Sequence, residues 1–184
     1  MSYHLPLIAF LIPFLTAVCM PVVGGKNRNW SRTMALAAVF AMCVAAVINL
    51  WAVLDHGETR YAFGGWPIST SLPGPTIGIE WVNDVLASVM LVVLSFLASV
   101  CLIYGGPVLP QSLGRQVVLY YTLILLLISG LTGILFAGDI FNIFVFLEVA
   151  ALSAYALVAV PGGRSLIVSF LYLILGTLGA SFYL

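Results

Sequence analysis

Charged side chains are scarce in this sequence: six Lys or Arg and six Asp or Glu make up 7% of 184 residues, and the formal net charge is zero. That shortage excludes the basic patches that grip nucleic acid and the acidic tails that grip polycations. Cysteine is nearly absent as well. Cys19, Cys43 and Cys101 stand alone in apolar runs, with no CxxC pair and no clustering with His4 or His56. Neither a disulfide framework nor a metal site is expected, and each thiol reads as a buried packing residue. Also missing are a Gly-rich phosphate loop, a nucleophile elbow and paired catalytic carboxylates, so covalent catalysis and a bound cofactor have no motif to rest on. The opening Met1-Ser2-Tyr3-His4 lacks the positive stretch of a secretory signal, so the first apolar run is expected to stay in the mature chain.

What the chain has in abundance is apolar surface. Hydrophobic residues make up 63% of it, and the mean hydropathy is +1.20. A soluble fold of this length cannot hide so much apolar surface, whereas a lipid bilayer has no need to hide it. A span of the hydrocarbon core takes about 20 mainly apolar residues. Six segments qualify: Leu5 to Val23, Thr33 to Leu54, Asn83 to Tyr104, Gln116 to Ala137, Ile140 to Val160 and Ser165 to Leu184. With no repeat, tail or low-complexity linker, residues 1–184 read as a single all-α transmembrane domain.

The few basic residues orient it. Lys26, Arg28, Arg32, Arg115 and Arg164 fall in loops of one side, and Arg60 alone falls on the other, beside Asp55, Glu58 and Glu80. The positive-inside rule then predicts an N-terminus outside. The long segment from Asp55 to Val82 carries Gly64-Gly65-Trp66-Pro67, Pro73-Gly74-Pro75 and Gly78-Ile79-Glu80-Trp81. Turn residues between short β-branched and aromatic runs predict an external β-hairpin between helices two and three. Tyr61, Trp66 and Trp81 would suit an interfacial aromatic belt.

One ionisable residue lies deep in a span. Glu148 sits near the middle of the fifth helix, where a charge costs roughly 2.5–3.5 kcal/mol on insertion scales unless a cavity or a partner receives it. Two readings follow: a proton-carrying carboxylate, or a protonated carboxyl that merely hydrogen-bonds a neighbouring helix. Tyr155 falls on the same helical face two turns on, where it either donates to a water chain or packs. Asp139 is placed to cap the fifth helix, Asn142 lies one turn inside it, and Asp84 opens the third; together they could line a polar entry from outside. Gly176 and Ala180, four apart, suit close helix packing. Pro6, Pro13 and Pro21 predict a bend in helix one, and Asn49 a local polar contact from helix two.

The run Gly138-Asp139-Ile140-Phe141-Asn142-Ile143-Phe144-Val145-Phe146-Leu147-Glu148-Val149, continuing to Ser153-Ala154-Tyr155-Ala156-Leu157, resembles the fifth-helix signature of the D-type subunits of Mrp cation/proton antiporters and their complex I relatives. Gly64-Gly65-Trp66, Gly78-Ile79 and Asp84 resemble that family's external hairpin, and Tyr172-Leu173-Ile174-Leu175-Gly176 its sixth helix. The resemblance implies the first part of a longer fold built of inverted repeats, sited in the cell membrane and assembled with other membrane subunits. It implies that Glu148 pairs with a lysine on a seventh helix, and that proton transfer follows changes in that pair. A carboxylate gains proton affinity on desolvation and loses it beside an ammonium, so separating the partners acts as a switch.

Two departures qualify this. No Lys or Arg lies inside any of the six spans, and Leu171 stands where the family often has a lysine. The partner of Glu148 is therefore expected from outside these 184 residues, and the chain is expected to be incomplete relative to the family. The implied function is movement of protons, with or without sodium or potassium, within a multisubunit antiporter. The alternatives are a membrane arm of an NADH or ferredoxin quinone oxidoreductase or of a membrane-bound hydrogenase, and a purely structural accessory subunit.

Overall fold

The structure, a computed structural model, describes residues 4–23, 28–62, 79–108, 113–114 and 116–183. Six helices and one two-stranded ladder follow in the order α1 (Leu5–Val23), α2 (Arg28–His56), β1 (Thr59–Ala62), β2 (Glu80–Asn83), α3 (Val85–Val108), α4 (Gln116–Phe136), α5 (Ile140–Ala159) and α6 (Arg164–Tyr183). All six helices are long and apolar enough to cross a membrane. The predicted segments therefore recur, with end effects that have local causes. α2 starts five residues earlier than expected, because a polar first turn is no obstacle to a helix whose end lies at the membrane surface. There Thr33 Oγ1 donates to the Asn29 carbonyl, and the Arg32 guanidinium lies on Gly106 and donates to the Ile103 carbonyl at 3.4 Å. A cation at the C-terminal end of α3 also suits that helix's dipole. α3 starts two residues later than expected, because Asn83 is used by the ladder and Asp84 caps the helix, its Oδ1 accepting from Ala87 N at 2.7 Å.

Apolar helices in lipid gain little from the hydrophobic effect between them, so close fit decides which faces meet. On α1 the buried stripe is Pro6, Ala9, Pro13, Ala17 and Met20, at steps of three and four; Pro13 and Pro21 lie inside the helix. α4 occupies the centre, packed against α1, α2, α3 and α5, with 56% of its span buried against 6% for α6. Its contact with α5 depends on two glycines. A Cβ on Gly130 would lie 2.7 Å from the Ala150 backbone nitrogen, and one on Gly133 would run into the Phe146 ring. Hydroxyls inside the bundle, including Ser129, Thr132 and Ser153, donate to the carbonyl one turn back, so none of these three is left unpaired in a medium without water.

β1 and β2 pair antiparallel, Thr59 opposite Asn83 and Ala62 opposite Glu80. This places the predicted hairpin between α2 and α3; the expectations for Gly64, Gly65, Trp66 and the Pro73-Gly74-Pro75 turn lie outside the described residues. Along β2 the side chains alternate, so Trp81 and Asn83 both face inward. Trp81 is 2% exposed and meets Phe10, Phe136 and Phe146. It is thus a core residue and not part of an interfacial belt, because the period-2 alternation of a strand turns it into the bundle. Cys19 and Cys101 are exposed, contrary to the expectation of burial, and Cys43 is half-buried. An apolar thiol directed at lipid has no reason to be covered.

Candidate proton-carrying site on α5

α5 begins at a corner shared with the hairpin. Asp139 holds extended backbone angles before the helix, and its Oδ1 accepts from Asn142 N at 2.6 Å, capping one of the helix's free amides. The other carboxylate oxygen, Oδ2, is buried without a hydrogen-bond partner among the described residues. Gly138 N donates to the Glu80 carbonyl at 2.9 Å, and a bridge joins Trp81 to Ala137. A side chain at 138 would press on that same carbonyl, 3.0 Å from its Cβ. Asn142 is 3% exposed, and its Nδ2 reaches the Glu80 carbonyl at 3.4 Å. The corner therefore brings Asp139 and Asn142 together, while Asp84 is occupied in capping α3, four residues along from Glu80.

Glu148 is the ninth residue of α5. Among the described residues it is the one Asp, Glu, Lys, Arg or His more than two turns from the end of its helix. It lies roughly 2 Å along the axis from the helix midpoint. Its azimuth follows from its neighbours. Phe144, four residues before, stacks with Tyr183 of α6 at 6.5 Å, and Tyr155, seven residues after, stacks with Tyr172 of α6 at 6.4 Å. Residues 144, 148 and 155 share a helical face, so Glu148 lies on the side of α5 that α6 flanks, half-buried between two aromatic contacts.

Tyr155 does reach α6, but as a packing residue: its hydroxyl rests on the open face of Gly176, and its backbone carbonyl accepts from Ser169 Oγ at 2.7 Å. Gly176 thus provides the close approach expected of it, and Ala180, one turn on, is 7% exposed. Gly179, in between, has nothing within 4 Å of a would-be Cβ. Among the described residues, no Lys, Arg or His forms an ion pair with Glu148, and no group of three or more His, Cys, Asp or Glu could hold a metal ion.

The sequence reading missed a second polar centre. Asn49 and Asn83 exchange side-chain hydrogen bonds at 3.0 Å each way, Ser88 Oγ joins at 2.9 and 3.1 Å, and Asn83 Nδ2 also reaches Thr59 Oγ1 at 3.2 Å. The cluster ties α2, α3 and the ladder together, and its amide groups satisfy one another. Asn49 alone was legible as a polar contact; the signal for the rest was Asn83, two residues from Trp81 and so on the same face of a strand.

No protein-family model matches the chain. Over its full length it is 38% identical, across 185 residues, to the N-type subunit of an NADH-quinone oxidoreductase from Desulforudis audaxviator, of which it spans 36%. It is 30% identical to a putative antiporter subunit, mnhD2, from Staphylococcus haemolyticus, covering 100% of this chain and 35% of that one. Over 88% of its length it is 26% identical to the D-type subunit of a Na(+)/H(+) antiporter from Alkalihalophilus pseudofirmus, of which the match covers 31%. The chain thus spans about a third of the length of the curated relatives it matches.

Among solved structures, 97% of it superposes on 35% of a chain of the membrane-bound sulfane sulfur reductase, an archaeal respiratory membrane complex, with a TM-score of 0.83 and 26% identity. A chain of the Mrp complex from Dietzia sp. shares the fold, with a TM-score of 0.69 and 23% identity over 98% of this chain and 32% of that one. With six membrane-spanning helices and a two-stranded ladder, the chain has as homologues, over about a third of their length, antiporter-like membrane subunits of both kinds, the D-type subunits of Mrp antiporters and an N-type subunit of an NADH-quinone oxidoreductase.

Proposed function

We propose that this chain forms a proton-translocating part of a multisubunit complex in the cell membrane, with Glu148 as the residue that takes up and releases the proton. The observation that carries this reading is the place of Glu148: a lone carboxyl near the middle of a span, half-buried on the face of α5 that α6 flanks. Such a group persists at that depth when it faces a polar path or a charged partner. The partner in this reading is a lysine supplied from outside residues 1–184, whose approach favours the carboxylate and whose departure favours the protonated acid. Asp139 and Asn142 at the hairpin corner mark the outer approach to the site, with Asp84 beside them, and Tyr155, two turns beyond Glu148 on the same face, is the polar group on its inner side. The N-terminus and the hairpin face outward, since Arg32 and Arg164 lie at the opposite ends of their helices from the Glu80 corner.

Two driving forces fit the same machinery. An Mrp-type antiporter would exchange protons for sodium or potassium, and a redox-driven complex would pump protons with electron transfer. The 38% identity to an oxidoreductase subunit favours carrying both readings forward. Ion flux in membrane vesicles holding the assembled complex tests the core of the proposal. Glu148→Gln is expected to abolish flux at unchanged assembly, and Glu148→Asp to retain a part of it. Full flux in Glu148→Gln would leave the chain as a scaffold.

A further inference from the structure

We infer that strand β2 is a positioning element for Glu148, acting through Trp81 and Phe146; the inference rests on the proposal that Glu148 carries the proton. Each side chain of β2 that points inward is an anchor. Asn83 is tied into the α2–α3 amide cluster, and Trp81 inserts among Phe10 of α1, Phe136 of α4 and Phe146 of α5. The backbone of the strand is held to α5 as well, through the Glu80 carbonyl, which accepts from Gly138 and Asn142. One four-residue strand thus spans the two halves of the bundle.

The consequence for Glu148 is rotational. Phe146 is pinned from three sides, by Trp81 at 5.9 Å, by Phe10 at 5.5 Å and by the bare backbone of Gly133, which leaves no room for a Cβ. Residues two apart on a helix point roughly 200° from each other. With Phe146 turned into the core, Glu148 is directed to the opposite side of α5, the side that α6 flanks. Loosening the Trp81 contact frees that rotation, and a force on the outer hairpin reaches the carboxyl by the same route.

The titratable groups on the elements packed against α5 are few. α4 carries Tyr120 and Tyr121, α6 carries Tyr172, Tyr183 and, at its far end, Arg164, and α1 carries only Cys19. On α5 itself stands Tyr155, with Asp139 and Glu80 at the hairpin corner. Of these, Glu80 and Asp139 adjoin Trp81 at the corner, and Asp139 precedes Glu148 by nine residues, roughly 13 Å along the axis, so a change in how Glu148 titrates reports chiefly its own position.

The experiment follows the infrared carbonyl band of protonated Glu148 across pH in the assembled complex, the band being the one that disappears in Glu148→Gln. Trp81→Leu is expected to move its midpoint by about one pH unit, Trp81→Phe by less, and Gly133→Ala, which presses on Phe146 from the α4 side, to move it too. An unmoved midpoint in Trp81→Leu and Gly133→Ala, with only the amount of assembled complex reduced, overturns the inference. If Trp81→Leu does not assemble, the midpoint in Trp81→Phe decides, and no shift there overturns it equally. The two proposals fail separately: full flux in Glu148→Gln sinks the transport reading while the band still tests the positioning, and an unmoved band with lost flux in Glu148→Gln sinks the positioning alone.

Discussion

The contact between α4 and α5 sets a sign that a single methyl group can test. In Gly130→Ala the new Cβ would stand 2.7 Å from the nitrogen and 2.9 Å from the Cα of Ala150, where ordinary contact begins at 3.4 Å. Both atoms are backbone, so no rotamer change relieves the clash and the helices must part by about 0.7 Å. A gap of that size forfeits roughly a quarter to a half of the dispersion energy of the atom pairs it separates. Overpacking of this kind costs about 1–3 kcal/mol. Against it stands a gain of about 1 kcal/mol from replacing glycine by alanine inside a helix. The clash wins, because it extends along a seam that also holds Phe146 against Gly133. The variant is expected to be less stable by about 1–2 kcal/mol, or roughly 2–8 °C in Tm for a domain of this size.

Gly179→Ala is the internal comparison, since nothing lies within 4 Å of its Cβ and only the helix-propensity gain remains. It should leave Tm unchanged or raise it. Thermal loss of helical circular dichroism in detergent measures both. Adding Ala150→Gly to Gly130→Ala should not restore stability, because the shortest contacts are with backbone. Restoration by Ala150→Gly, or a Gly130→Ala variant as stable as the parent, would refute the close backbone approach.

Three further outcomes follow from the same geometry. Replacing either Asn49 or Asn83 with Leu strands the other amide in the bundle and should cost about 1–3 kcal/mol; the double replacement should cost clearly less than the sum, as measured by a double-mutant cycle on Tm. Asp139→Ala should destabilise by about 1 kcal/mol through loss of the cap, and Asp139→Asn should hardly destabilise at all; reduced ion flux in a stable Asp139→Asn would show that this carboxylate serves the proton path as well as the helix. With the three native cysteines replaced, Glu58→Cys should react with an impermeant maleimide from outside and Pro161→Cys only after the membrane is opened; the reverse pattern would invert the orientation.

The helices were legible because a bilayer imposes one length on every span and admits few charges. Which helix packs on which was not legible. A helix that is apolar all round has no polar face to say which side turns inward, and in this chain the pairing of α4 with α5 is decided by absent side chains at Gly130 and Gly133. Those two glycines, three apart, were a visible signal of close approach, but they do not name the partner. Trp81 shows a different loss of information. Tryptophan at the end of a span suits the membrane interface on statistical grounds, whereas its burial here follows from a strand register, Tyr61 opposite Trp81, that only pairing reveals.

Glu148 was legible for a reason that also bounds what it reveals. Its depth follows from counting residues along α5, and its face from counting in steps of three and four, so both were open to the sequence. The orientation of that face was not, because it depends on Phe146 and on the aromatic residues from α1, α4 and β2 around it. Those contacts come from segments as far apart in sequence as Phe10 and Phe146. A carboxyl whose identity is local and whose direction is set by long-range packing can be re-aimed by changes far from it in the chain.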